Sequence, residues 1–404
     1  MRFTTYADLA RNPVVRRILI LGLLVRIPIW AAGVVLTLHV VGHLDRSYAQ
    51  AGVVEMVYSL ALAISSPWRG RRLDRVGLRA ALVPSLVVMA ACWSIAPWVG
   101  YWPLLVLVAI AGLFMMPTFS IVRQVLIGAV PDEQRTAVLA IDSVVVEFSF
   151  MIGPVLGVLA AVYLPTPLAL LILQFGTVVG GVALWLDNPP LGHTTPDGVG
   201  SVPEPGVRDL LSPAVIALLA ISATATVILT GEDLGVVAAM RSMGHKSSIG
   251  WVLAVWGLGS AVGGIVYGAL RRHPPAGVLL VLLAGSTTLV ALTEGRAIFT
   301  VVLFISGLFC APTITATIDD LSRAVPVTMR GEAMGWHGSA LTLGGAVGAP
   351  LVGWSIDQGG WQRGFELAGY LGLAMALVGL AVGSARRRGA EQDALLESDS
   401  VQEV

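Results

Sequence analysis

Two acids stand inside one apolar run, Asp142 and Glu147 in RTAVLAIDSVVVEFSFMIGPVLG (135–157). Ionisable side chains in a bilayer are costly, and those that persist face a bundle interior or a watery cavity. One base lies in comparable surroundings, Arg26 in LLVRIPIW. Counting from Ile18 places Arg26 roughly 12 Å into the apolar layer, and counting from Ala137 places Glu147 roughly 15 Å in, at about 1.5 Å per helical residue. The expectation is an Arg26–Glu147 charge pair that breaks when a proton or substrate binds. Desolvation favours a neutral carboxyl and a nearby guanidinium favours a charged one, so a change of surroundings would switch its protonation. A permanent ion pair that only orders the two helices is the alternative.

Further acids qualify as secondary coupling candidates: Glu232 and Asp233 in ILTGEDLGVV, and Glu55. Each could attract a cation or carry a proton, or simply be wet. Asp142 and His337 occupy equivalent positions of an internal repeat, close to the inner surface, and suit cytoplasmic gate contacts; a solvated His is the rival reading. Asp319 and Asp320 fall at the inner end of an apolar run beside Arg323, where solvent and that base can satisfy them.

These residues need helices to hold them in lipid. Hydrophobic residues make up 56% of the 404, charged residues only 12%, against about 25% charged in soluble domains. Apolar runs predict helices over 15–42, 48–66, 79–99, 103–129, 135–163 and 167–186, then 212–240, 248–270, 276–293, 297–321, 331–356 and 364–385. The fold class is therefore an all-α membrane protein with twelve transmembrane helices. AGLFMMPTFSIVRQVLIGAVPDEQRTA returns as SGLFCAPTITATIDDLSRAVPVTMRGEA, aligning Gly112 with Gly307, Pro117 with Pro312, Pro131 with Pro326 and Arg135 with Arg330. A fixed offset of this kind marks two equivalent halves. The domains are a six-helix bundle over 1–186, a Pro-rich cytoplasmic linker over 187–211, a second six-helix bundle over 212–385 and an acidic tail over 386–404 read as disordered. Cys92 and Cys310 lie inside apolar runs, so neither a disulfide framework nor a Cys-based metal site is expected. The first apolar run is too long for a signal-peptide core and is read as a retained helix.

With the amino terminus placed inside, 19 of the 25 basic residues fall on the inner side and five on the outer, with Arg26 between. That bias puts both termini in the cytoplasm of a plasma (inner) membrane protein. Two halves that both start inside are parallel repeats, with a substrate site expected between them near mid-membrane.

Between the second and third runs lies Gly70-Arg-Arg-Leu-Asp74-Arg75-Val-Gly77-Leu-Arg79. This G-x3-D-R-x-G-x-R pattern resembles the signature loop of the major facilitator superfamily, and the duplicated layout, the charge bias and the linker resemble that family over nearly the whole chain. The resemblance implies two pseudo-symmetric six-helix bundles and a loop that latches the halves together when the site faces outward; a solvated basic loop is the plainer reading. The corresponding second-half loop, Gly268-Ala-Leu-Arg271-Arg272, lacks the acid. Gly153-Pro154-Val-Leu-Gly157 resembles part of the exporter signature, and Pro with Gly lets a helix bend. Where many drug:proton antiporters of the family carry an Arg on the fourth helix, this chain has Val108. Trp30 and Phe114 fall on helices that line the cavity in the family and are the aromatic substrate-cavity candidates.

The chain so resembles drug or metabolite exporters of actinobacteria that the expected function is secondary active transport by alternating access, with proton-coupled export of drugs or small metabolites. A proton-coupled importer of a small organic solute, with Arg26 holding a carboxylate, is the alternative. The expected partners are a small-molecule substrate, protons and the bilayer, with no nucleic acid, no cofactor and no metal, in a monomer. No zinc, nucleophile-turn or nucleotide-loop motif supports an enzyme.

Overall fold

The computed structural model describes residues 9, 11–131, 134–191, 212–270, 273–325 and 330–402, and the described residues that form elements are helical. The helices are α1 (Pro13–Gly42), α2 (Tyr48–Ile95), α3 (Tyr101–Leu113), α4 (Thr118–Gly128), α5 (Arg135–Tyr163) and α6 (Thr166–Asp187) in the first half. The second half has α7 (Pro213–Ser242), α8 (Ile249–Ala269), α9 (Ala276–Val290), α10 (Arg296–Ala324), α11 (Arg330–Gly359) and α12 (Trp361–Gln402). Eleven spans among these are long and apolar enough to cross a bilayer, and the shorter apolar α9 brings the number of apolar segments to twelve.

Local chemistry sets the helix ends. Asn12 accepts from the N–H groups of Val14 and Val15, with Pro13 in the first turn of α1, and Ser212 accepts from Val215 ahead of α7. Capping oxygens of this kind satisfy donors that have no intrahelical partner. α2 carries two spans, Tyr48–Ser65 and Arg75–Trp98, and turns at Gly77, at the start of the second, whose φ of 76° favours a residue without a Cβ. The fourth span is expected to be continuous over 103–129, yet it breaks between Leu113 and Thr118. Pro117 cannot donate a backbone hydrogen bond there. Its repeat counterpart Pro312 stays inside the unbroken α10, so the two halves are not copies at this level. The acidic tail expected to be disordered continues α12 to Gln402; its Ala-, Leu- and Glu-rich composition has high helix propensity.

Call the end that carries Arg69–Arg79, Asp187 and Ser212 the basic end, and the opposite end the far end. The two halves meet through α2 against α11 and α5 against α8. These contacts lie in the far-end parts of the helices. A Cβ on Gly52 would reach the backbone N of Pro350 at 2.6 Å, and one on Gly250 would come within 3.0 Å of Val155 Cα. Leu38 and Val158 of the first half share a hydrophobic core with the second half at this end. Toward the basic end the cores separate, one built from Leu9, Ile18, Val130 and Val138 and the other from Val215, Leu321, Val325 and Ala333. The bundle is closed at the far end.

Candidate functional site

Arg26 points from α1 into the interior of the first half. Its Nη1 donates to Asp142 Oδ1 of α5 at 2.6 Å, with both side chains wholly buried. Arg123 Nε of α4 reaches the other oxygen, Oδ2, at 3.4 Å. The Phe119 ring lies 4.7 Å beneath the Arg26 guanidinium, a cation–π arrangement. Gly22, one turn earlier on α1, leaves room for the guanidinium, since a Cβ there would sit 3.5 Å from Nη1. One carboxylate thus ties α1, α4 and α5 together. Among the described residues the acid that meets Arg26 is Asp142, and the side chain of Glu147 lies outside them. Asp142 was expected at a gate between the halves; its partners instead belong to its own half. His337 behaves alike, with Nε2 2.9 Å from Thr317 Oγ1 of α10. The equivalent positions cross-link α5 and α11 to their own bundles.

The second half holds its acid differently. Glu232 is 1% exposed on α7. Its Oε1 accepts from Thr287 of α9 at 2.8 Å and from Ser306 of α10, whose hydroxyls are themselves 3.1 Å apart. The Trp256 indole of α8 packs beside the same carboxyl, although neither Glu232 Oε2 nor Trp256 Nε1 is engaged in a well-formed hydrogen bond. Asp233, the next residue, is half-buried and lies in the fields of Glu232 and of Glu55 from the first half. Glu55, on α2, is solvent-exposed. Asp233 and Glu55, on α7 and α2, thus lie within electrostatic reach of each other across the two halves.

Aromatic rings run alongside. Trp30 meets Phe150 edge-on at 5.0 Å, and Phe150 meets Trp256 at 5.6 Å, a series leading from α1 through α5 to α8 and hence between the halves. Trp30 is thus brought to the inter-half surface next to Gly153, where a Cβ would stand 3.0 Å from the Ala31 backbone N. Phe150 escaped the sequence reading; its signal was its place one turn before Gly153-Pro154. Gly157 likewise lets α5 close on the Ala31 backbone, while α8 rests on Pro154 and Val155. Phe114, expected at the substrate cavity, packs instead on Trp68 at 6.3 Å in a recess between α2 and the α3–α4 break.

In the signature loop, Arg79 donates to the carbonyls of Trp185 at 3.1 Å and Leu186 at 3.3 Å and lies over the Trp185 ring. It caps the last turn of α6 within the first half. Arg75 is exposed and Gly70 has open space around its Cα, while the side chain of Asp74 falls outside the described residues. Asp320 Oδ2 accepts from the Ala276 N–H at 2.9 Å and so caps α9.

The fold and this pair of bundles match known proteins. The chain belongs to the Major Facilitator Superfamily, whose family model matches residues 18–242 and 225–400. A search of curated proteins finds no match. Among solved structures, the nucleoside transporter NupG superposes with a TM-score of 0.74 at 11% identity, covering 91% of this chain and 99% of that one. The peptide transporter POT in complex with sulfate gives 0.72 at 16%, covering 93% and 95%. A bacterial homolog of the human lysosomal transporter Spinster, solved inward-facing and unoccupied, gives 0.70 at 15%, covering 92% and 95%. At such identities the likeness concerns the fold.

Proposed function

We propose that the protein is a proton-coupled secondary transporter that works by alternating access and exports drugs or small metabolites across the plasma membrane. The basic end is its cytoplasmic face, in keeping with the charge bias, and the conformation described, closed at the far end, is the inward-facing one. The observation that carries the coupling is the buried carboxyl of Glu232, whose hydrogen-bond partners among the described residues are the neutral hydroxyls of Thr287 and Ser306, with Asp233 beside it in the chain. Carboxyls in poorly hydrated surroundings without a compensating base take up protons readily, and an organic cation leaning on the Trp30–Phe150–Trp256 series would compete for the same groups. Arg26 and Asp142, sealed and mutually neutralising, serve better as the strut that keeps the first bundle rigid. Glu147 retains its place as a coupling candidate on α5. Export is supported by the resemblance of Gly153-Pro154-Gly157 to the exporter signature and by the contacts those residues make with α1 and α8.

The test is reconstitution into vesicles with an internal pH dye and a panel of lipophilic cations and weak acids. Substrate-driven proton movement that disappears in Asp233→Asn or Glu232→Gln but survives in Asp142→Asn supports this assignment; movement that survives in both and fails in Glu147→Gln moves the carrier to α5. The structural likeness to nucleoside and peptide transporters favours a second reading, a symporter. An imposed inward proton gradient that drives the solute in, with the proton, would establish it.

A further inference from the structure

Asp357 sits at the far end of α11, in the second half, and its carboxylate reaches into the first. Oδ1 accepts from the Tyr48 N–H at 2.9 Å and Oδ2 from the Ala49 N–H at 2.8 Å. Tyr48 and Ala49 are the first two residues of α2, whose opening N–H groups have no partner within their own helix. The local sequence deals with the neighbouring donors. Ser47 accepts from the Gln50 N–H, and the Gln50 side chain accepts from the Ser47 N–H, a complete capping box. That box leaves the Tyr48 and Ala49 donors over. The other half supplies their acceptor.

Close approach of the backbones makes the contact reachable. Gly353 lies one turn before Asp357 on the same face of α11, and a Cβ there would stand 2.8 Å from the Ala49 backbone N. Gly52, one turn into α2, faces Ala349 and Pro350 in return. The Tyr48 side chain lies in the field of Arg241 of α7, and Gly42 leaves space for that guanidinium, whose Nη1 would lie 3.0 Å from a Cβ.

From this geometry we infer that Asp357 is a positioning residue for the transport cycle: its carboxylate clasps the amino terminus of α2 across the halves, and the cap on α2 is complete only while the far end is closed. A carboxylate facing the positive end of a helix dipole gains both charge and hydrogen-bond energy there. Opening of the far end strips two donors and a carboxylate of each other at once and hands them to water. The clasp therefore biases the resting population toward the far-end-closed state without touching substrate. It rests on the alternating-access reading, and the experiment separates the two.

The full-length protein, with native Cys92 and Cys310 buried, carries spin labels at Trp98→Cys and Glu294→Cys, two exposed far-end positions in opposite halves. Pulsed electron-spin distance measurement in lipid nanodiscs then gives the closed and open populations. Asp357→Ala is expected to raise the ratio of open to closed by about fivefold, the effect that loss of one helix cap carries. Asp357→Asn, which keeps one acceptor and the shape, is expected to give a smaller rise, and Asp357→Glu to give the smallest. A wild type that widens with substrate or pH while Ala and Asn variants leave the populations unchanged overturns the clasp. A wild type that never widens strikes the alternating-access reading, and the clasp then stands or falls on whether Asp357→Asn widens it. Should Asp357→Ala fail to fold, Asp357→Asn decides alone.

Discussion

The guanidinium of Arg26 and the carboxylate of Asp142 are 2.6 Å apart and share no surface with solvent. Removing one partner of such a pair strands the other in a dry interior, which costs more than the pair itself contributes. Arg26→Leu is therefore expected to destabilise the protein by about 3 kcal/mol or more. Arg123, at 3.4 Å, softens the loss. The double variant Arg26→Leu with Asp142→Leu should recover most of the stability. Thermal melting in detergent across the four proteins of the cycle measures this, and a double variant no better than the singles would show the pair to be more than a strut.

Glu232 offers a sharper separation of charge from hydrogen bonding. In Glu232→Gln the amide oxygen can still accept from Thr287 and Ser306, so the fold should melt within about 1 kcal/mol of wild type. Proton movement coupled to substrate should fall at least tenfold, and the remaining solute flux should lose its dependence on pH. Glu232→Ala should lose both stability and coupling, because the buried Ser306 hydroxyl loses its acceptor and Thr287 is left with the Leu283 carbonyl. Equal coupling in wild type and Glu232→Gln would remove this residue from the proton path.

The far-end seam should rank glycine substitutions by their neighbours. A Cβ on Gly52 meets the Pro350 backbone N at 2.6 Å, while one on Gly250 meets Val155 Cα at 3.0 Å. Backbone cannot swing aside as a side chain tip can, and overpacking of this kind costs about 1–3 kcal/mol. Gly52→Ala should thus push α2 and α11 apart and raise the far-end-open population more than Gly250→Ala does. Accessibility of the far-end cleft to a membrane-impermeant thiol reagent, read at an engineered cysteine, orders the two.

In the signature loop, two neighbours should respond by different amounts. Gly77 holds a φ of 76° and a ψ of 171°, so Gly77→Ala should cost about 1–3 kcal/mol through backbone strain. Arg79 is exposed, and its bonds to the carbonyls of α6 compete with water; Arg79→Ala should cost less than about 1 kcal/mol. Melting temperatures of the two variants give the order directly.

Sequence alone determined the apolar segments, the duplication and the charge bias between the two ends, because hydropathy, repeat offset and basic-residue placement are local properties that a bilayer reads segment by segment. It also picked out Arg26, Asp142, Glu232, Asp233 and Glu55, since each is a charge where charge is expensive. It did not choose their partners. Counting residues fixes a side chain's height in the membrane but not its direction around the helix axis, where positions five residues apart differ by about 140° at 100° per residue. The packing of α1, α4 and α5 brought Arg26 and Arg123 to Asp142. The break at Pro117, absent at Pro312, and the Asp357 contact with Tyr48, 309 residues away in the chain, were settled the same way. Each depends on which helix surfaces come together in the folded bundles, and no local feature of the chain records that.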